Sequence, residues 1–321
     1  MTGRGGVAER VAAAQQASTE LLVAFAGDGS PAVRRTVAGR PDAPGEALRV
    51  LAADRDLVTR EAVAGNPAVP EDVLIPMLAD RHWRVRLTAA ANPAATLSAR
   101  RAMRVATDPN IRLVLAQQPG LPSEIGEALA RDESFQVRVA LAEYTDQIAV
   151  LEALLADRDG RVRGKAGLNS LTTLPQLLEL RHDKDWRARN AVVWANSNGH
   201  EVPVEDLLAL ACDRSVNVRY WLANLPGATR EIYEILSRDN DDLVAGTARQ
   251  WLLPSDDPGY PANHEPLLTY LDSLMTKTSY SGPERLGAPT PHLAAPAADE
   301  LTQLPPEELI RRLTALSPPD A

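Results

Sequence analysis

The chain of 321 residues contains one cysteine, Cys212. A lone thiol excludes an intramolecular disulfide, and any zinc or iron–sulfur site made from several cysteines of one chain. Aromatic residues make up only 4%, so a core must come from Leu, Val and Ala, which suits short, closely packed helices. The five histidines, His82, His182, His200, His264 and His292, are scattered, with no HExxH pair and no metal-ligand spacing. No GxSxG elbow, phosphate loop or dinucleotide fingerprint occurs, and the glycines from Gly3 to Gly6 lack a preceding strand and read as tail. These gaps speak for a protein that is not an enzyme and holds no cofactor or metal. No apolar run approaches the roughly 18 residues that cross a bilayer. The polar, Gly-rich start from Met1 to Val11 has no apolar signal segment. A soluble cytoplasmic protein with no membrane partner is expected. The Ala-, Arg- and Pro-rich, Lys-poor composition points to a high-GC bacterial genome. Strand-like alternation is missing too.

Repetition is what the chain has. A unit of about 26 residues recurs, clearest as LAADRDLVTREAVAGNP from Leu51 and LADRHWRVRLTAAANP from Leu78. Its Asp positions are Asp28, Asp54, Asp80, Asp108, Asp132, Asp157, Asp183, Asp213 and Asp239. Seven have Arg six residues later: Arg34, Arg60, Arg86, Arg138, Arg163, Arg189 and Arg219. In the fourth copy the turn is two residues shorter, so Arg112 follows Asp108. In the ninth Ala245 takes the Arg position. The residue before each Arg is apolar except for Thr59 before Arg60, and a pair of aliphatic or small residues follows three and four residues later, as in Val63-Ala64, Leu141-Ala142 and Ala166-Gly167. That spacing puts the apolar side chains on one stripe of a helix. Asn66-Pro67, Asn92-Pro93, Gln118-Pro119 and Arg40-Pro41 then stop it, because the residue before proline is pushed out of the α region. A second, often shorter helical run follows, such as PEDVLIPMLA from Pro70, with Glu71 and Asp72 suited to a helix N-terminus. A period of this length, helix–turn–helix in each copy, predicts a solenoid, which offers an extended surface rather than a catalytic cleft.

The Asp-x5-Arg spacing, the Val-Ala pair and the Asn-Pro-x-x-Pro break resemble the variant leucine-rich repeat, a short relative of the HEAT repeat. The resemblance covers roughly residues 21–254. It implies an all-α fold: a right-handed α-solenoid of about nine short repeats, with second helices lining the concave side. Some members of that family carry an N-terminal iron–sulfur cluster on a Cys cluster, which this chain lacks. The resemblance to HEAT-like repeats also implies a structural role for the charges. Each Asp caps the next helix and meets an Arg of its own or the adjacent copy, giving a ladder of Asp54, Arg60, Asp80, Arg86, Asp132, Arg138, Asp157, Arg163, Asp183, Arg189, Asp213 and Arg219. A catalytic reading of these pairs fails on number, since nine Asp copies cannot all be active-site acids.

Residues 1–20 read as a tail and capping helix, part of an Ala-rich helical stretch from Glu9 to Phe25. Residues 21–254 are the repeats. The segment WLLPSDDPGYP from Trp251 breaks the pattern, and residues 255–281 contain a Leu stripe suited to a C-terminal cap. Residues 282–321 form a Pro-rich linker ending in a short amphipathic helix with Leu309, Ile310, Leu313 and Leu316 on one face. That helix either folds back on the array or docks a partner. The net charge is −9, concentrated in the tail, and many array arginines belong to the ladder. Nucleic-acid binders usually carry a basic footprint, so nucleic acid is disfavoured, although Arg34, Arg35, Arg84, Arg86, Arg100, Arg101 and Arg104 leave a local stripe open.

Two aromatic groups merit attention. Trp83, Phe135 and Trp186 share one slot, three after the repeat Asp, with Leu57 and Val216, and read as helix-entry packing residues. Trp194, Tyr220 and Trp221 lie at variable positions expected on the second helix, where other copies have Gly65, Glu61 and Ala62. They should point toward the groove, accompanied by Asn190, Asn196, Asn217 and Asn224. The set Asn190, Trp194, Asn217, Tyr220, Trp221 and Asn224 is therefore the expected partner-binding site. Aromatics supply interface energy at low entropic cost, and Asn amides can pair with an extended peptide backbone. The competing reading is that these large residues fill gaps near the longer copy at Asp183. The expected function is a scaffold for a protein or peptide partner. The alternatives are a HEAT-like nucleic-acid binder related to alkylpurine DNA glycosylases, and an assembly subunit that forms homo-oligomers.

Overall fold

The computed structural model describes residues 6–197, 201–255 and 261. Those residues form nineteen α-helices and one 3-10 turn, and no strand is found among them. They divide in sequence between Tyr144 and Thr145 into two compact units. Each is a stretch of an all-α repeat solenoid.

The first unit contains α1 (Val7–Gln16), α2 (Thr19–Ala26), α3 (Pro31–Gly39), α4 (Gly45–Leu51), α5 (Leu57–Gly65), α6 (Glu71–Met77), α7 (Trp83–Ala90), α8 (Leu97–Arg104), α9 (Pro109–Ala116), α10 (Ser123–Leu129) and α11 (Phe135–Tyr144). The Arg-bearing helices stack as one layer, α3 on α5, α5 on α7, α7 on α9 and α9 on α11. The short helices form a second layer, α2 on α4, α6 on α8 and α8 on α10. The α5 copy shows why. Asp56 caps its start by accepting the Thr59 N–H at 2.9 Å. Thr59, Arg60, Val63 and Ala64 form its buried face. Asn66, before Pro67, takes an extended conformation (φ −71°, ψ 127°) and ends it. The short helices α4, α6 and α10 follow Pro44, Pro70 and Pro122, with Glu46, Glu71, Asp72 and Glu124 in their first turns, where the helix dipole favours negative charge. Their Leu48, Leu51, Leu74, Ile125 and Leu129 are fully buried, each contributing about 1.5–3 kcal/mol.

The N-terminus differs from the sequence expectation of one capping stretch. Ala17 is extended (φ −63°, ψ 146°) and splits it into α1 and α2. Helix α1 packs on α3 as a repeat helix would, and Arg10 donates from Nε to Asp28 at 3.0 Å. The array therefore starts before residue 21. Arg10 escapes the pattern because it has no Asp of its own six residues earlier.

The second unit contains α12 (Ile148–Leu155), α13 (Gly160–Gly167), α14 (Leu174–Glu179) running into a 3-10 turn (Leu180–His182), α15 (Trp186–Ser197), α16 (Val204–Ala211), α17 (Val216–Ala223), α18 (Arg230–Leu236) and α19 (Asp242–Trp251). Here α13, α15, α17 and α19 stack in turn. Helix α13 lies very close to α15. A Cβ on Gly164 would stand 2.8 Å from the Arg187 carbonyl oxygen, and one on Gly167 would meet the Leu180 side chain of the 3-10 turn. In α19 the buried Ala245 fills the slot that holds Arg elsewhere. The expected C-terminal cap and the tail helix with Leu309, Ile310, Leu313 and Leu316 lie outside the described residues. Among the described residues no helix is long and apolar enough to cross a membrane, and no group of His, Cys, Asp or Glu is placed to hold a metal ion.

Candidate functional site

Two ladders set the frame on which any surface site rests. In the first, each guanidinium spans two copies. Arg60 donates from Nε and Nη2 to Asp80 of the next copy at 2.9 and 3.2 Å, and from Nη1 to the carbonyl of its own Asp54 at 2.8 Å. The same pattern joins Arg34 to Asp54, Arg163 to Asp183, Arg189 to Asp213 and Arg219 to Asp239. Each carboxylate also accepts the N–H two residues on, as Asp80 does from His82 at 2.8 Å and Asp183 from Asp185 at 2.8 Å. In the shortened fourth turn Arg86 reaches Asp108 at 2.7 Å, while Arg112 donates to the Ala106 carbonyl and to Asp132. Hydrogen bonding from Arg34 holds the Asp54 carboxyl below its ordinary value despite burial. At Asp80, Asp183 and Asp239 burial pushes upward, but the Arg and amide donors outweigh it and the carboxyls end low. Charges committed in this way are structural.

The second ladder was hidden in the Asn-Pro break. Asn92 is buried; its Nδ2 donates to the carbonyls of Ala64 and Asn66 in the preceding copy at 2.6 and 3.0 Å, and its Oδ1 accepts the Ala94 N–H at 2.8 Å. Asn66 repeats this toward Ala38 and Arg40 at 2.7 and 2.8 Å. Gln118 donates to Ala90 and Arg40 to Ala14 and Ala17. In the second unit Asn169 donates to Thr145 at 3.1 Å. The carbonyls that a helix end leaves without partners are thus satisfied by the next copy. The signal available in the sequence was an N–H-bearing side chain in that slot in five copies: Arg40, Asn66, Asn92, Gln118 and Asn169.

The expected partner-binding residues lie within the second unit. Trp194 on α15 and Trp221 on α17 approach with ring centroids 5.0 Å apart and planes tilted by 50°. Tyr220 meets Trp221 edge-on at 5.7 Å. Trp194, Trp221 and Asn217 are half-buried, so each presents part of its surface. The expectation of a groove-facing set needs correction for the other three. Asn190 is 4% exposed, Tyr220 5% and Asn224 8%. The cause is positional. Asn190 and Tyr220 occupy the residue after the ladder Arg, which lies between successive Arg-bearing helices; in the same slot Glu61 pairs with Arg84 of the next copy, and Gly164 meets the Arg187 backbone. Asn224 turns back on its own helix, donating to the Tyr220 carbonyl at 2.9 Å. Burial raises the Tyr220 phenol above its ordinary value, with a hydrogen bond to Asn224 opposing. Two buried atoms are left without a hydrogen-bond partner, the Asn190 Oδ1 acceptor and the Trp194 Nε1 donor, one helical turn apart. Native interiors rarely tolerate such orphans.

Of the helix-entry aromatics, Trp83 is 55% exposed and stacks on His82 at 6.0 Å. Phe135 and Trp186 are half-buried, and the Arg187 guanidinium sits 4.9 Å from the Trp186 ring centre.

Residues 31–56 match the family described as leucine rich repeat variant. A solved structure described as "a leucine-rich repeat variant with a novel repetitive protein structural motif" is 28% identical, over 64% of this chain and 80% of that one, with a TM-score of 0.46. No curated protein matches. The matched residues run from the start of α3 to the Asp56 cap, one full copy of a unit whose Arg–Asp rungs recur in both halves of the array. The chain thus carries a unit similar to the leucine rich repeat variant, repeated along an all-α array.

Proposed function

We propose that the array is a non-enzymatic scaffold that binds a protein or peptide segment at the Trp194–Trp221 patch of the second unit. The observation carrying this reading is the pair of half-buried tryptophans, 5.0 Å apart, each with part of its ring open. Large rigid aromatics that are part buried and part open make strong contact points. Asn217 stands at the start of the same helix as Trp221. Tyr220, Asn190 and Asn224 support the patch from beneath rather than touching the partner.

The test is Trp221→Ala in the full chain. Partner binding should weaken at least about tenfold, the loss typical of a central aromatic contact, while the helical signal and thermal midpoint stay close to those of the parent. Parallel loss of stability and binding would make Trp221 a core residue and defeat the proposal.

A further inference from the structure

We infer that the turns at residues 157–159, 183–185 and 213–215 form a second docking edge, for a short acidic peptide in extended conformation. In the register of the ladder, the residue five before each Arg is Arg158, Lys184 and Arg214 in three successive copies. All three are exposed. None has a carboxylate partner among the described residues. Their backbone is held in place by the ladder: Arg189 Nη1 donates to the carbonyls of Asp183 and Lys184 at 2.8 and 3.2 Å. Arg214 adds one donor to the Lys184 carbonyl at 2.7 Å and keeps the rest of its guanidinium free. The rungs therefore present these cations at a fixed spacing.

The acids in the same turns are already matched. Asp159 pairs with Arg161 at 2.8 Å and Asp185 with Arg187 at 3.5 Å. Asp183 and Asp213 belong to the ladder, where Arg163 and Arg189 neutralise them. Helices α13, α15 and α17 all start at this edge, which adds the positive ends of three helix dipoles. The result is a line of unmatched positive charge one side chain wide.

Spacing selects the occupant. Neighbouring packed helices stand about 8–10 Å apart, and every third residue of an extended chain advances about 10 Å. Acidic side chains at every third position of a strand-like peptide would meet successive turns. A nucleic-acid duplex needs a broader basic face, and the chain as a whole carries −9. This edge lies at the helix starts, whereas Trp194 and Trp221 lie further along the same helices, so the inference is separate from the aromatic patch and shares only the premise of a binding scaffold.

The test uses the full chain and fluorescence anisotropy. The probes are a fluorescein-labelled (Glu-Ser-Ser)4 peptide, the same peptide with Gln for Glu, and a labelled 12-nucleotide oligo-dT. Wild type should bind the Glu peptide in low salt and ignore the Gln peptide. The triple variant R158Q/K184Q/R214Q should bind it about tenfold or more weakly, as expected for losing three exposed charge contacts without touching the core, with unchanged circular dichroism. The control R55Q/R81Q, which removes exposed cations of the first unit, should bind as wild type does. W221A should also leave this binding intact, even if the aromatic reading fails. Equal binding by wild type and the triple variant, no binding of the Glu peptide, or preference for oligo-dT would each overturn the inference.

Discussion

The Arg60–Asp80 rung allows the ladder to be weighed quantitatively. The two side chains are 5% and 11% exposed. In Arg60→Met the aliphatic stem is kept and the guanidinium removed. Asp80 then retains only the His82 N–H, and the Asp54 carbonyl loses its donor. Removing one member of a buried pair costs about 3–5 kcal/mol, and the residual solvent contact places this rung near the lower end. In Asp80→Asn the acceptor for His82 survives, but the neutral amide turns its NH2 donor toward the Arg60 guanidinium, for a loss of about 2–3 kcal/mol. The double variant removes both charges together, so its loss should fall short of the sum by about 1.5–3 kcal/mol, the coupling expected of directly bonded partners. Urea unfolding of all four proteins at pH 7 supplies the cycle. The sign of its pH dependence follows from the carboxyl, whose pKa lies below 3.8 in the folded chain. The rung is fully formed above pH 3.8 and is lost as pH falls through the folded value, so the coupling should vanish in strong acid. Coupling below about 0.5 kcal/mol at pH 7 would show that the ladder is decorative, with helix packing alone setting the copy-to-copy register.

Two further outcomes follow from the same geometry. Asn92→Ala removes two buried donors' contacts and one acceptor and should destabilise the array by about 2–4 kcal/mol, read as a lower urea midpoint; a loss near that of an ordinary surface substitution would mean that water replaces the Asn ladder freely. Gly164→Ala places a methyl 2.8 Å from the Arg187 carbonyl oxygen, backbone that cannot step aside, and should cost about 1–3 kcal/mol although alanine favours helices; a rise in thermal midpoint would show that α13 and α15 are less close than described.

The repeat itself was legible because its strongest signal serves geometry. An Asp that must cap a turn and an Arg that must reach the next turn have no freedom in spacing, so they recur visibly from Asp28 to Arg219. Which copy the Arg reaches was not legible: Arg60 stands six residues after Asp54 and twenty before Asp80, and bonds to the backbone of the first and the carboxylate of the second. The Asn ladder was obscured by its neighbour, since Pro67 and Pro93 explain a helix stop without any role for Asn66 and Asn92. The aromatic site was half legible. Residue type singled out Trp194 and Trp221, but the burial of Asn190 and Tyr220 depends on how closely the next helix packs, which one copy's sequence does not contain.

That dependence bears on how such an array acquires a binding surface. The ladder Arg and Asp residues cannot vary without loss of a rung, and the stripe that follows them cannot vary without loss of the core. Variation is confined to a few slots per copy: the turn residue five before the Arg, and the positions one, two and five after it. In the second unit the first of these slots holds Arg158, Lys184 and Arg214, and the others hold Asn190, Tyr220, Trp221 and Trp194. The preceding copy places Glu133 in the first slot, and the copy of Arg158 places Gly164 in the one after its Arg. In the copies of α15 and α17, exposed charge and part-open aromatic surface thus lie toward opposite ends of the same helices. A ligand that engages both must run across the helices at one edge and along them at the other. Two independent sites are therefore the simpler solution, and W221A and R158Q/K184Q/R214Q should separate them: additive losses for one partner would require a chain that crosses α15 and α17, whereas losses confined to different partners would assign each end its own ligand.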